Sequence, residues 1–264
     1  MLVVRDLSLR YPNGKLALSG FDLAVRAGEL VIVLGSNGCG KTSLLRCITR
    51  TVAPSSGEVW LDGSDLTKLE GEKLRRARLA LAMISQHASL VRRRSVLANV
   101  ATGALGRYDG LRTALGGLPA AELAAAHDYL RQVGLLQAGS PQSGSAQIGY
   151  SGLAGQRAGT LSGGQAQRVA IARALAQRPR VLLADEPVAS LDPEAAEEIM
   201  RLLRRLAHEQ DLAILCVLHQ VELAYSYADR VVGLRAGRME FDLPCGEVSR
   251  DAVRRLYLNL SEAA

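Results

Sequence analysis

The chain has 264 residues, 48% of them apolar and only 4% aromatic, so it can bury a substantial core built from aliphatic side chains and alanine. Its 32 basic and 26 acidic residues leave a formal charge of +6, which suits an anionic ligand or lipid headgroups but is too mild and too dispersed for a nucleic-acid-binding surface. The four cysteines, Cys39, Cys47, Cys216 and Cys245, lack CxxC spacing, no apolar run reaches the roughly 18 residues of a membrane span, and MLVVRDLSLRY lacks the apolar core of a secretory leader.

These absences predict a soluble intracellular protein that works at a membrane only through partners. Strand-like runs come first: LVVRDLSLR (2–10), FDLAVR (21–26) and LVIVLG (30–35), separated by PNG and AGE turns. A glycine-rich loop follows, then the helix-like KTSLLRCITR and a further strand, GEVWLDG (57–63). From Leu69 to Gln137 the pattern is mainly helical, and residues 139–159, rich in Gly and Ser, read as a long mobile surface loop. The last third alternates strands with helices: VLLAD (181–185), a helix over 194–210, LAILCVLH (212–219) and a helix over 221–228. That alternation predicts an α/β fold with a mostly parallel sheet covered on both faces. The expected plan is a single domain over 1–264, with a core from 1–85 and 179–264 and a helical subdomain inserted at 86–178.

GSNGCGKTS (35–43) matches G-x-x-x-x-G-K-[ST], with Gly35, Gly40, Lys41 and Thr42 in register, a buried strand before it and a helix after it. In such a loop glycines let backbone N–H groups converge on phosphate oxygens, and the helix start adds partial positive charge. Gly35, Ser36, Asn37, Gly38, Cys39, Gly40, Lys41, Thr42 and Ser43 are therefore candidate nucleotide contacts. Lys41 would neutralise β and γ phosphates, a contact worth on the order of 4 kcal/mol near 4 Å at an effective dielectric of about 20. The Thr42 hydroxyl is placed to hold Mg²⁺, and Ser43 offers at most its N–H. Cys39 reads as a tolerated small residue, although a helix start can lower a thiol pKa.

VLLADEP puts Asp185 and Glu186 at the end of an apolar run, where carboxylates leave a parallel strand. Asp185 is the candidate Mg²⁺ partner. Glu186 is positioned to polarise an attacking water, a role typically worth about 10²–10⁴-fold in rate. His219 closes the next apolar run and is a candidate γ-phosphate sensor.

GSNGCGKT, Gln86 in ISQ, LSGGQ (161–165), LLADEP, SLD (190–192) and His219, in that order, resemble the ATP-binding subunits of ABC transporters over nearly the whole chain. The resemblance implies an ATPase using ATP and Mg²⁺, with an antiparallel β part before a P-loop core and an inserted helical subdomain. It implies that Tyr11 stacks on adenine and that Gln86 reaches Mg²⁺ and the attacking water while sensing the membrane partner. It also implies that Ser162, Gly163, Gly164 and Gln165 bind the γ-phosphate of an ATP held by another subunit, and that Asp192 crosses the dimer interface. The implied partners are a second copy of the chain, two transmembrane permease subunits and, indirectly, an extracytoplasmic solute-binding protein, with no nucleic acid. The implied location is peripheral, on the cytoplasmic face of the inner membrane. SVLANVATGALGR (95–107) and the ADEPVASLDPEAA and VLHQVELAYSYADRVVGLRAGRM stretches are similar to the importers of phosphonates and related phosphorus oxyanions. HASLVRRRSVLANV, with Arg92, Arg93 and Arg94, corresponds to the family's docking region for permease helices. A soluble ABC ATPase of DNA repair or translation is the next alternative, but such proteins carry coiled-coil insertions or paired cassettes that this sequence lacks.

Overall fold

The computed structural model describes residues 1–108, 117–136 and 152–257. In chain order the elements begin with β1 (Leu2–Arg10), β2 (Leu16–Val25), β3 (Leu30–Leu34) and α1 (Lys41–Ile48). Next come β4 (Ser56–Leu61), β5 (Ser64–Asp65), α2 (Gly71–Arg78), β6 (Leu81–Ile84), α3 (Val96–Ala101), α4 (Ala120–Gln132) and α5 (Gly163–Ala176). The last are β7 (Val181–Asp185), α6 (Pro193–Gln210), β8 (Ala213–Leu218), α7 (Val221–Tyr227), β9 (Arg230–Arg235), β10 (Arg238–Pro244) and α8 (Arg250–Tyr257).

The chain divides into two compact units: Met1–Leu81 with Arg180–Glu186 and Met200–Ala264, and Ala82–Pro179 with Pro187–Ile199. The sequence places the first boundary near 86 and assigns everything after 179 to the core; the contacts instead group Pro187–Ile199 with the helical unit.

The first unit holds an antiparallel sheet ordered β2-β1-β4-β5 and, in a second sheet, strands ordered β10-β9-β3-β8-β7. β3 pairs in parallel with β8 and β9, and β7 pairs in parallel with β8, while β10 is antiparallel to β9. All five residues of β3 and all six of β8 are buried, as unbroken apolar runs require when helices cover both faces. Parallel strands side by side deliver their C-terminal ends to one edge, and it is there that the loop after β3, Asp185 at the end of β7 with Glu186 just after it, and His219 after β8 emerge.

In the second unit α3, α4 and α5 pack pairwise on one another. Their shared interior includes Val96, Leu97, Val100, Ala126, Leu130 and Val169. Glu122, almost fully buried, is held at 2.6 Å by Arg107 and at 2.7 Å by the Tyr108 hydroxyl. These bonds and the neighbouring arginine charges outweigh the burial that favours its neutral form, so the carboxyl titrates below its usual range.

Three expectations need correcting. The mainly helical stretch from Leu69 contains a strand: β6 is built from Leu81, Ala82, Met83 and Ile84, the first three with good helix propensity that tertiary pairing overrides. β2 starts at Leu16, five residues before the strand read from sequence, because Gly20 is not a break but lies within an irregular ladder where its N–H donates to the Ser8 hydroxyl at 3.0 Å. The Gly/Ser-rich stretch is not loose at its end: its residues 139–151 lie outside the described residues, but Leu153–Gly155 and Ala158–Thr160 form 3-10 turns. Gln156–Gly159 pair through their backbone with Arg92–Val96, and Ala154 and Ala158 are buried.

Candidate nucleotide site

The loop after β3 is shaped by close approaches that leave room for hydrogen atoms only. A Cβ on Gly35 would lie 2.2 Å from the Leu234 carbonyl and 2.7 Å from the Cys39 sulfur, and one on Gly40 would lie 2.5 Å from the Ala17 carbonyl. Gly40, at φ 120°, caps α1 without any side-chain hydrogen bond among the described residues, so the first-turn N–H groups face outward. The β9–β10 hairpin clamps the loop from the side. Ala236 and Gly237, both at positive φ, form its two-residue turn. The Gly237 N–H donates to the Cys39 carbonyl at 2.8 Å, and its own carbonyl accepts from Ser19 N–H at 2.9 Å.

Lys41 is only 5% exposed. Its ammonium donates to the Gly35 carbonyl at 2.7 Å and the Ser36 carbonyl at 3.2 Å, and stands 3.9 Å from Glu186 Oε1. Glu186 is held at φ 49°, a left-handed backbone that a non-glycine residue adopts at a cost. Its other carboxylate oxygen is 3.4 Å from His219 Nδ1. The Thr42 hydroxyl donates to Asp185 Oδ1 at 3.3 Å. Burial pushes the Asp185 carboxyl above its ordinary pKa; the Thr42 bond works against that and the neighbouring Glu186 charge adds to it. The Cys39 thiol moves opposite to what a helix start alone would do: burial raises its pKa, and the nearby Lys41 charge only partly offsets this.

Tyr11, Lys15, Ala17, Asn37, Gly38, Gly40, Lys41, Thr42, Ser43 and Glu186 line one cavity of about 290 Å³. The Tyr11 hydroxyl and Ser43 Oγ are 3.1 Å apart, so Ser43 offers its side chain to the tyrosine. Among groups at this site that sequence reasoning missed are Lys15 and Gly237. The Ala-Gly pair in LRAGRM, between two apolar runs, was a hairpin signal that pointed to the latter.

The remaining predicted residues belong to the second unit. Gln86 is exposed, two residues beyond β6, in a segment whose Ala88 and Ser89 carbonyls accept from the Arg173 guanidinium of α5 at 2.8 and 2.9 Å. Ser162 caps α5 through a reciprocal box: its hydroxyl accepts from Gln165 N–H at 3.3 Å, and Gln165 Oε1 accepts from Ser162 N–H at 3.1 Å. A Cβ on Gly163 would meet Leu191 at 3.1 Å and one on Gly164 would meet Ala195 at 3.3 Å, so the glycine pair also lets α5 start against the turn entering α6. Asp192 caps that turn, accepting from Ala195 N–H at 2.9 Å. Arg92, Arg93 and Arg94 are exposed.

The ABC transporter family description matches residues 18–189. The chain belongs to the ABC transporter family. This ABC cassette is 43% identical over 257 residues to the phosphonates import ATP-binding protein PhnC of Wolinella succinogenes, covering 97% of the chain and 88% of that protein. It is 46% identical over 243 residues to the protein of the same name from Frankia casuarinae, covering 92% and 90%. Its fold matches cbiO1 of Clostridium perfringens, part of the ABC transporter complex cbiONQ, with a TM-score of 0.79, 28% identity and coverage of 99% and 96%. A dimeric ATP-binding cassette in a post-hydrolysis state with ADP and Pi matches with a TM-score of 0.75 and 28% identity, covering 93% of this chain and 99% of that one. As a cassette of this family the chain binds ATP and is an ATPase of α/β class. No described helix is long and apolar enough to cross a membrane.

Proposed function

We propose that the chain is the ATP-hydrolysing subunit of an importer for phosphonate or a related phosphorus oxyanion, working through separate permease subunits. The observation that carries the catalytic part is the meeting of Lys41, Glu186 and His219 at one edge of the sheet, beside the cavity that Tyr11 and the glycine loop enclose. Outward-facing N–H groups at α1 and the Lys41 ammonium suit a triphosphate. Tyr11 offers an aromatic face for adenine. Glu186, between a cation and an imidazole, is held where it can take a proton from water, and His219 is held where it can donate to a phosphoryl oxygen.

The donor set also suits Mg²⁺. Thr42 and Asp185 present hard oxygens side by side, and no cluster of three or more acidic, His or Cys ligands exists among the described residues. That is the sparse protein donation expected of an ion which shares its shell with phosphates and water. Thr42, Asp185 and, by family resemblance, Gln86 would hold it. Mg²⁺ bound there supplies charge neutralisation for the phosphates.

The cargo reading rests on the relatives, whose names specify phosphonates import. We read the chain as one half of a homodimer in which Ser162, Gly163, Gly164 and Gln165 of one copy meet the nucleotide on the other, with Asp192 at the interface. That dimer would sit peripherally on the cytoplasmic face of the inner membrane, against two permease subunits served by an extracytoplasmic solute-binding protein. The test is co-purification with the permeases, then ATPase assays in proteoliposomes with a binding protein and phosphonates, phosphite or phosphate. Stimulation by a phosphonate is expected; equal stimulation by every solute, or by none, would refute the cargo reading. Replacing Arg92, Arg93 and Arg94 by Ala should leave soluble ATPase activity intact and impair transport, whereas parallel loss of both would remove the docking role.

A further inference from the structure

The last described helix, α8, ends beside the backbone of His219. It is strongly amphipathic, buries Val253 and Leu256, and starts at Ser249, whose hydroxyl accepts from Ala252 N–H at 3.1 Å. It packs on β9, the strand whose Leu234 carbonyl abuts Gly35, so one strand supports both the phosphate loop and this helix.

At the end of α8 the Tyr257 hydroxyl donates to the main-chain carbonyl of His219 at 3.3 Å. Tyr257 is 37% exposed, so this bond lies at the rim of the site, on the backbone of a residue whose side chain faces Glu186. The contact matters because of where the parallel ladder stops. β8 ends at Leu218, and α7 begins at Val221 with Gln220 as its cap. His219 thus sits in a two-residue junction outside both the ladder and the helix. From that junction the imidazole faces Glu186 at 3.4 Å.

We propose that Tyr257 is a positioning residue for ATP hydrolysis: by bonding the His219 carbonyl it holds the imidazole in register with Glu186. This rests on the reading of His219 as a participant in hydrolysis. It predicts a kinetic effect without a binding effect, because the hydroxyl touches the main chain of a residue that faces the reacting end of the triphosphate.

The experiment uses the full chain. Tyr257→Phe keeps the ring and its packing, removes one neutral hydrogen bond, and should lower kcat about 3- to 10-fold with KM for ATP unchanged and Tm lowered by no more than about 4 °C. In a His219→Ala background the same change should have no further effect. If His219→Ala alone turns over at the wild-type rate, the reading of His219 fails, which is a separate result from any failure of Tyr257. Should turnover of His219→Ala be too slow to measure, the imidazole resonances of His-labelled protein provide the readout. Tyr257→Phe should shift the His219 signal while those of His87, His127 and His208 stay in place. Wild-type kcat in Tyr257→Phe, an equal loss in the His219→Ala background, or an unmoved His219 resonance overturns the proposal.

Discussion

Two helices in this chain open with glycine beside a residue that a phosphate would contact, and they satisfy their first-turn N–H groups in opposite ways. α1 starts at Gly40 with no side-chain cap among the described residues, its flanking backbone fixed by contacts that tolerate no Cβ. α5 starts at Ser162 inside a closed capping box that already uses the Ser162 hydroxyl, the Gln165 side chain and their N–H groups. The first is therefore shaped by its own packing before any ligand arrives, as the proposed anion site requires. The second is tied locally: the box uses the N–H groups of Ser162 and Gln165, so a ligand that reaches either of these must displace the cap. In the dimer proposed above that asymmetry would have a use: each copy would load nucleotide alone, and closure would wait for the partner's helix start to change its bonds.

The strongest way to break this picture is at the preformed end. Glu186→Gln keeps the size and the hydrogen-bonding oxygen but removes the base, so kcat should fall by about 10²–10⁴-fold while ATP affinity persists. Turnover at the wild-type rate would move the base elsewhere. Gly35→Ala attacks the shape of the loop instead. The added methyl runs into the Leu234 carbonyl of β9, and backbone in a paired strand cannot swing aside as a side-chain tip can. Equilibrium unfolding should show a loss of about 1–3 kcal/mol, together with weakened ATP binding. A variant as stable and as tightly binding as the parent would mean the loop is not preorganised.

The conditional end responds differently. Ser162→Ala opens the capping box and should cost about 1 kcal/mol, or roughly 2–4 °C in Tm for a chain of this size. The informative quantity is the ratio of effects. If ATPase activity at saturating nucleotide falls no more than folding accounts for, the hydroxyl serves only α5. If it falls tenfold or more with Tm lowered by only a few degrees, the same hydroxyl also serves the nucleotide.

How legible all this was differs between the two ends. The phosphate loop, Asp185, Glu186 and His219 could be read because their spacing is local and each follows or ends a short apolar run whose length favours a buried strand over a helix. The hairpin clamp at Gly237 and the Tyr257 tether could not, because each depends on β9 lying next to β3, a pairing between segments about 200 residues apart. β6 was lost for a related reason: four residues, three of them good helix formers, carry too weak a strand signal of their own. LSGGQ was legible as a helix start, but the closed capping box and the fit of Gly163 against Leu191 required coordinates.

The smallest effect sharpens the electrostatic side of the open end. Asp185 is a carboxyl whose pKa in the folded chain is raised above the ordinary 3.8, chiefly by burial. Because the folded state then binds its proton more tightly than the unfolded state, ionisation of this group opposes folding. That cost is absent below about pH 3.8, grows as pH rises from there through the folded pKa, and is complete above it. Asp185→Asn keeps an acceptor for the Thr42 hydroxyl and removes the charge. The ligand-free variant should therefore be modestly more stable than the parent at neutral pH, with the gain shrinking as urea unfolding is repeated at steps toward pH 4. A gain that is independent of pH, or a variant less stable at neutral pH, would show that Asp185 is not held against its own desolvation. The charge is worth that cost to a cassette only if a cation meets it in the loaded state, so the same substitution should weaken ATP binding in Mg²⁺ more than in its absence.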